Sequence, residues 1–279
     1  MPEKHAYSFK NISRTLILPL WGRAVEQDKT QPMIYDPTAK QIMQKIDFDF
    51  NSLNDKWNRS SQVAWTVRAW NIDSVIRAFL SRYHNDETKI INLGCGLDTS
   101  FERNDDGESR WYEIDLHDVI ELRRQFIEES NRRTFIAGSA FSSDTFRQID
   151  PKGNFLIVAA GMLYYFEESE IRVLFTNIKR RFPHAEMVFD VCSPIGMKAA
   201  NRRITSERSI EKEAVFRWSL KSLDRLKAID ADIRVIEAYP LFKKAMNKIE
   251  RSLRMTARMS DFFKIMSMVR TRFELYESN

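Results

Sequence analysis

At 279 residues, with 43% hydrophobic and 12% aromatic content, the chain is long enough to bury one large core plus an accessory layer and need not split into independent domains. The formal charge of +5 comes from 44 basic against 39 acidic residues; basic runs such as Arg123-Arg124, Lys179-Arg180-Arg181 and Lys243-Lys244 lie far apart near helix ends, so solvated helix faces are expected and a nucleic-acid partner is not. With only Cys95 and Cys192 there is no disulfide framework or cysteine metal site, Met1 to Lys10 lacks an apolar h-region, and no window approaches the roughly 20 apolar residues of a membrane span, so a cytoplasmic setting away from membranes is expected.

The segment before residue 85 reads as helical. Ser13 to Glu26 carries apolar residues in helical rhythm, and Asp36-Pro37 opens a short helix through Ile46 with proline at its first position. Ser60 or Ser61 can cap a long helix to about Tyr83, in which Val63, Val67 and Trp70 form one stripe while Trp65, Ile72, Ile76 and Phe79 form the opposite one. A helix apolar on two sides is sandwiched between layers. Arg68 projects beside Ile72 at the edge of the second stripe, where its guanidinium needs a carboxylate from protein or ligand.

From residue 89, strands alternate with helices: Lys89 to Leu93, Arg110 to Ile114, Thr134 to Ala137, Phe155 to Ala159 and Glu186 to Cys192. Asp118 and Glu121 have capping-box spacing, with Val119, Leu122 and Phe126 behind them, and Ile171, Leu174, Ile178 and Phe182 mark a long helix that stops at Pro183. Helical crossovers between strands imply a mostly parallel sheet covered on both faces. Ser193 to Lys221 reads as a helical insertion over the site; Ile233 to Tyr239 and Arg272 to Tyr276 then read as two closing strands, an antiparallel pair, joined by a helical stretch that includes Ala245 to Val269. The expected organisation is an N-terminal helical cap (1–85), an α/β core (86–192), a helical lid (193–230) and a C-terminal completion of the sheet (231–279).

The most telling stretch is Ile90-Ile91-Asn92-Leu93-Gly94-Cys95-Gly96-Leu97-Asp98-Thr99, an apolar strand running into a two-glycine turn. Trp111-Tyr112-Glu113-Ile114-Asp115 follows as the next strand and ends in an acid. In nucleotide-binding α/β folds the first glycine makes the turn, the second lets backbone approach the ligand, and a carboxylate about 20 residues on takes ribose hydroxyls. Thr99 stands where the dinucleotide fingerprint wants a third glycine or alanine, which disfavours a nicotinamide oxidoreductase and favours a cofactor without pyrophosphate, S-adenosylmethionine.

These residues resemble a known family. Leu20-Trp21-Gly22-Arg23-Ala24-Val25-Glu26, Tyr35-Asp36-Pro37-Thr38-Ala39, the glycine-turn run, Trp111 to Leu116 with Val119 to Arg123, and Ala159-Ala160-Gly161-Met162-Leu163-Tyr164-Tyr165 look like the class I S-adenosylmethionine-dependent methyltransferases that group leucine carboxyl methyltransferase with O-methyltransferases of the tetracenomycin polyketide type, over roughly residues 13 to 190. The resemblance implies a Rossmann-like class I methyltransferase sheet. It makes Arg68 the holder of the cofactor's carboxylate, Gly94, Cys95 and Gly96 the cofactor turn, Asp115 the ribose acid and Ser139-Ala140 the pair flanking the adenine. Arg23 aligns loosely with a second basic contact, its alternative being a salt bridge to Glu26 or another acid.

The chain departs from that pattern at Ala160, where the family usually has a glutamate that contacts the cofactor, at His117 for proline and at Ser100 for arginine. Losing one charged hydrogen bond costs about 1.5–3 kcal/mol, about ten- to a hundredfold in affinity. Two functions therefore stand against each other: O-methylation of a carboxylate or hydroxyl of a small molecule, of polyketide type, and a cofactor-binding pseudoenzyme or regulator. Methyl transfer from a sulfonium is an in-line displacement; a carboxylate acceptor needs no base, whereas an alcohol needs one. Tyr164 and Tyr165 are read as substrate-pocket lining, with His117 and His184 the available bases, and no catalytic residue is assigned. A small-molecule acceptor and a monomer are expected.

Overall fold

The computed structural model describes residues 14–56, 59–85, 87–206 and 215–274. Four helices come first: α1 (Arg14–Glu26), α2 (Pro37–Lys45), α3 (Asn51–Lys56) and α4 (Arg59–Arg82). Strands and helices then alternate through β1 (Thr88–Leu93), α5 (Ser100–Asn104), β2 (Arg110–Asp115), α6 (His117–Arg123), β3 (Arg133–Ala137), α7 (Ser143–Arg147), β4 (Asn154–Ala159), α8 (Glu168–Arg181) and β5 (Glu186–Cys192). The remainder is α9 (Pro194–Ser206), α10 (Asp224–Ile229), β6 (Ile233–Pro240), α11 (Arg254–Phe262) and β7 (Met266–Phe273). The strands form one sheet in the order β3-β2-β1-β4-β5-β7-β6.

The first five strands are parallel, and β7 runs antiparallel to both β5 and β6. Every residue of β1 and β5 is buried, as a parallel strand covered on both faces requires. Ile91, Leu93, Ile157 and Phe189 join Ile171, Leu174 and Ile178 of α8 on one face, and Ile90, Leu156, Val158 and Val188 meet α4 on the other. The chain reverses its strand order between β1 and β4, so the loops after their C-terminal ends diverge and leave a crevice, the usual place for a ligand in open α/β sheets.

Asp36 caps α2 by accepting from the Ala39 amide at 2.9 Å, with Pro37 at the first position as its sequence predicts. Several expectations shift. Helix α4 already includes Ser60 and Ser61, so neither is its cap. Its Val63 and Val67 lie in the same sheet-facing cluster as Ile72, Ile76 and Phe79, while Trp65 turns instead to Trp21 of α1. The outer side of α4 is polar at the contact, where Gln62 and Thr66 both donate to the Gly22 carbonyl, at 2.9 and 3.2 Å. In α6 the N-cap is Leu116, Asp118 lies within the first turn, and the buried side is Ile120, Leu122 and Arg123. The helical stretch over Ala245 to Val269 is shorter than expected: α11 ends at Phe262 and the last strand begins six residues before Arg272, at Met266. Residues 207–214 of the expected lid and Leu275 and Tyr276 of the expected strand lie outside the described residues.

A buried ionic network ties the helical layer to the glycine turn. Arg103 of α5 donates to both oxygens of Asp73 on α4 (2.8 and 2.9 Å) and to Asp36 (2.8 Å), and it lies 3.5 Å from Asp98. Arg23 of α1 holds the same Asp36 at 3.0 Å, donates to the Leu97 carbonyl at 2.9 Å and stands 3.7 Å from Asp98. Burial would raise the carboxyl pKa of Asp36, but Arg103 and Arg23 outweigh it and hold the group below its ordinary value. Its folded-state pKa is thus below the unfolded value of about 3.9, so its contribution is complete above that pH and is lost as pH falls through the folded pKa. Urea midpoints should be flat between about pH 7 and 5 and fall below about pH 4, and Asp36→Asn should flatten that fall. An acid slope unchanged by Asp36→Asn would contradict the role given to this network.

Candidate functional site

A cavity of about 470 Å³ opens at the C-terminal ends of β1, β4 and β5, within the range of about 300–1,000 Å³ common for small-molecule sites. The glycine turn, α1, α4, the loop after β4, Asp190 of β5 and α9 wall it. Gly94 (φ +62°) and Gly96 (φ +48°) both adopt the left-handed conformation that the sharp turn requires, and a Cβ on Gly96 would come within 2.7 Å of Leu16 of α1. The turn is fixed from below: the Gly96 amide donates to Asp115 Oδ2 at 2.7 Å, and Arg123 donates to the Gly96 carbonyl at 2.7 Å while holding Glu113 at 2.7 Å.

Of the residues singled out in the sequence, Arg23, Arg68, Gly94, Cys95, Gly96, Ala160, Tyr164 and Tyr165 line this one cavity. Asp115, Ser139 and Ala140 are not among its lining residues. Asp115 lies one contact behind the wall, through Gly96, and burial raises its carboxyl pKa against the pull of the Gly96 and Leu116 amides. Ser139 and Ala140 follow β3, whose end is joined to β2 by the Gly138 amide donating to the Asp115 carbonyl at 2.9 Å. Arg23 finds an acid, as its alternative reading required, but the partner is Asp36; Glu26 is taken by Lys29.

The carboxylate that Arg68 needed is Asp190. Arg68 Nη1 donates to Asp190 Oδ2 at 3.3 Å and to the Tyr164 hydroxyl at 3.0 Å. The other oxygen, Oδ1, accepts from the Gly161 amide at 2.6 Å. Burial lowers the Arg68 pKa, but Tyr164 and Asp190 more than reverse this, so the guanidinium stays charged. Burial also pushes Tyr164 well above the ordinary phenol value and Tyr165 up to about 12, which keeps both rings protonated at neutral pH and leaves neither as a resting base.

Gly161 (φ +70°) lets the backbone pass directly under Arg68: a Cβ there would lie 2.7 Å from Nη1 and 2.8 Å from Cζ. Gly161→Ala should lose about 1–2 kcal/mol to the left-handed backbone and also displace the guanidinium. Gly107 (φ +82°) has nothing within 4 Å of a Cβ and supplies the control. Both alanine variants should lower the urea midpoint, and only Gly161→Ala should weaken ligand binding in the cavity by calorimetry. Equal binding by the two would show that Arg68 is not held from below.

An aromatic group adjoins Arg68 through Tyr164. Tyr164 stacks on Phe216 with centroids 4.0 Å apart at 24°, and Tyr165 meets Phe216 edge-on at 5.3 Å. Asn201 of α9 fixes Phe216 by exchanging two hydrogen bonds of 2.8 Å with its backbone, and the Arg217 amide donates to the Tyr164 carbonyl at 2.7 Å. Asp190, Asp98, Phe216 and the cavity face of α9 were not singled out as site residues. Phe216 is signalled only as one of the aromatic residues scattered in a charged segment, whereas Asp98 lies in the glycine-turn run itself and Asp190 in the strand Glu186 to Cys192. His117 is exposed and does not line the cavity, and His184 sits in the turn before β5, at the opposite end of that strand from Asp190. Among the described residues no group of His, Cys, Asp and Glu could hold a metal ion, and no helix is long and apolar enough to cross a membrane.

Comparison with known proteins decides the family. Residues 17–179, more than half of the chain, match the family described as leucine carboxyl methyltransferase. The chain belongs to that family. Like other leucine carboxyl methyltransferase family members, it is an S-adenosylmethionine-dependent methyltransferase. It is 26% identical over 231 residues to the tetracenomycin polyketide synthesis O-methyltransferase TcmP of Streptomyces glaucescens, covering 82% of this chain and 83% of that one. A methyltransferase of Gibberella zeae, dpfgK, is 31% identical over 134 residues, 46% of this chain and 45% of its own. The crystal structure of magnesium protoporphyrin IX methyltransferase from Synechocystis PCC 6803 with bound S-adenosylmethionine shares the fold, with a TM-score of 0.50 at 9% identity over 96% of this chain and all of that one. The site fits the cofactor in one checkable respect: a largely buried arginine, Arg68, and a glycine turn line a single cavity.

Proposed function

We propose that this family member transfers the methyl group to a carboxylate oxygen of a small aromatic molecule bound against Tyr164, Tyr165 and Phe216. The observation that carries the reading is that one cavity holds the glycine turn, Arg68 and this aromatic group together, with the Tyr164 hydroxyl 3.0 Å from Arg68. Arg68 would hold the methionine carboxylate of the cofactor inside the cavity, and the ribose and adenine would extend past its lining residues, over Gly96, toward Asp115 and Ser139-Ala140. Bound there, the cofactor supplies an electrophilic methyl carbon on a sulfonium. The protein's own work is to align the acceptor oxygen in line with that carbon and exclude water, which is where most of the acceleration of such a displacement arises.

The acceptor chemistry follows from what lines the cavity. Among the described residues no histidine lines it, both tyrosines are held neutral, and the two lining carboxylates, Asp98 and Asp190, each face a guanidinium. A carboxylate arrives already anionic and needs no base, whereas an alcohol would need one. The stacked rings favour a planar partner in offset or edge-on contact.

Two measurements test this. Calorimetry with S-adenosylmethionine should show binding; none at millimolar cofactor would contradict the methyltransferase reading, whereas binding without transfer to any acceptor would favour the cofactor-binding pseudoenzyme that Ala160 raises. Methyl-labelled cofactor with hydroxybenzoic and hydroxynaphthoic acids, which carry both acceptor types, should then give label released by mild alkali, as a methyl ester releases it. Alkali-stable label, an ether, would overturn the carboxylate assignment.

A further inference from the structure

The methionine end of the cofactor is a zwitterion, and a receptor for it needs a fixed cation and a fixed anion side by side. The cavity holds such a pair. Arg68 Nη1 lies 3.3 Å from Asp190 Oδ2, and the Asp190 side chain is 0% exposed. Methyl transfer itself gives Asp190 no task, yet a fully buried carboxylate at a cavity wall is costly unless its charge is used. Asp98, the other carboxylate at the wall, is already engaged by Arg23 at 3.7 Å, Arg103 at 3.5 Å and the Ser100 hydroxyl. A carboxylate has about four acceptor positions, and Asp190 spends one on the Gly161 amide and one on Arg68.

We propose that Asp190 receives the α-ammonium of S-adenosylmethionine while Arg68 receives its α-carboxylate. Binding then exchanges one intramolecular ion pair for two intermolecular ones, and neither buried charge loses its partner. A ligand with only one of the two charges leaves one member of the pair poorly matched, so the site selects for the whole amino-acid end. The parallel register Ala159 to Phe189 sets residues 160 and 190 next to each other at the ends of β4 and β5. A carboxylate placed at 160 could therefore stand in for one removed at 190.

The proposal rests on the cofactor placement proposed for this cavity, and the test separates the two. Calorimetry would use S-adenosylhomocysteine, its deamino analogue, which keeps the carboxylate, and 5′-methylthioadenosine, which has neither charge. Asp190→Asn should weaken S-adenosylhomocysteine about ten- to a hundredfold, leave 5′-methylthioadenosine within about twofold and leave the deamino analogue unchanged or tighter, since no unmatched carboxylate remains; adding Ala160→Glu to it should recover much of the loss for S-adenosylhomocysteine. An unchanged affinity for S-adenosylhomocysteine would overturn the proposal. Equal weakening of the deamino analogue would also overturn it, because Asp190 would then act only by holding Arg68, and loss of 5′-methylthioadenosine binding would reduce Asp190 to a structural group. A wild-type protein that binds none of the three would instead refute the cofactor placement itself.

Discussion

Arg68→Met is expected to weaken S-adenosylmethionine binding about a hundredfold or more, and to lower stability as well. Arg68 is the cation at the cavity wall beside the Gly161 peptide, and its partner Asp190 is fully buried. Removing one member of a buried pair leaves an uncompensated charge, which typically costs about 3–5 kcal/mol. The two effects can be separated. The double variant Arg68→Met/Asp190→Asn should regain part of the stability, since no lone buried charge remains, while still failing to hold the methionine end. Calorimetry and urea denaturation on the two variants read the two quantities; recovery of binding together with stability would show that Arg68 serves the fold alone.

The largest purely structural effect is expected at Arg103. Its side chain, 4% exposed, joins Asp36 at the start of α2, Asp73 on α4 and Asp98 in the glycine turn. The Asp98 carboxyl, which burial would raise, is instead held well below its usual range by Arg103 and Arg23. Arg103→Met should cost about 3–5 kcal/mol. At about 2–4 °C per kcal/mol for a domain of this order of size, the Tm should fall by about 6–20 °C. Arg23 still serves Asp36, so the greater loss falls on Asp73, and adding Asp73→Asn should recover part of the drop. A Tm within about 2 °C of wild type would mean that water or side-chain relaxation replaces Arg103.

The sheet was legible because parallel strands are mostly apolar runs: Phe155 to Ala159 is one throughout, and Ile90 to Leu93 and Glu186 to Cys192 are apolar apart from Asn92, Glu186 and Asp190. The last strand was misplaced for a specific reason. Helix α11 is stopped two residues past its end by a lysine with left-handed backbone, Lys264 (φ +48°), after which the Ile265 amide donates back to the Ser260 carbonyl at 2.9 Å. Helices usually end that way on glycine, so with lysine in its place the stop carried no punctuation and the helical reading ran on through Met266. At the site, the glycine turn, Arg68 and the Tyr164-Tyr165 pair were legible because each sits in a local motif. Asp190 and Phe216 were not, because nothing local marks a carboxylate that meets its arginine 122 positions away, or a ring fixed by Asn201 from a segment of no clear periodicity. The arginine predicted a carboxylate; only the fold could say which.

The central claim is that the cavity behind the glycine turn holds the cofactor with its amino-acid end at Arg68 and Asp190. The most direct measurement is a crystal structure with S-adenosylhomocysteine. Its carboxylate is expected on Arg68, its ammonium on Asp190, its ribose hydroxyls toward Asp115 and its sulfur facing the Tyr164 and Phe216 rings. Density for the ligand elsewhere, or in this cavity with the adenine against Arg68 and Asp190, would contradict it.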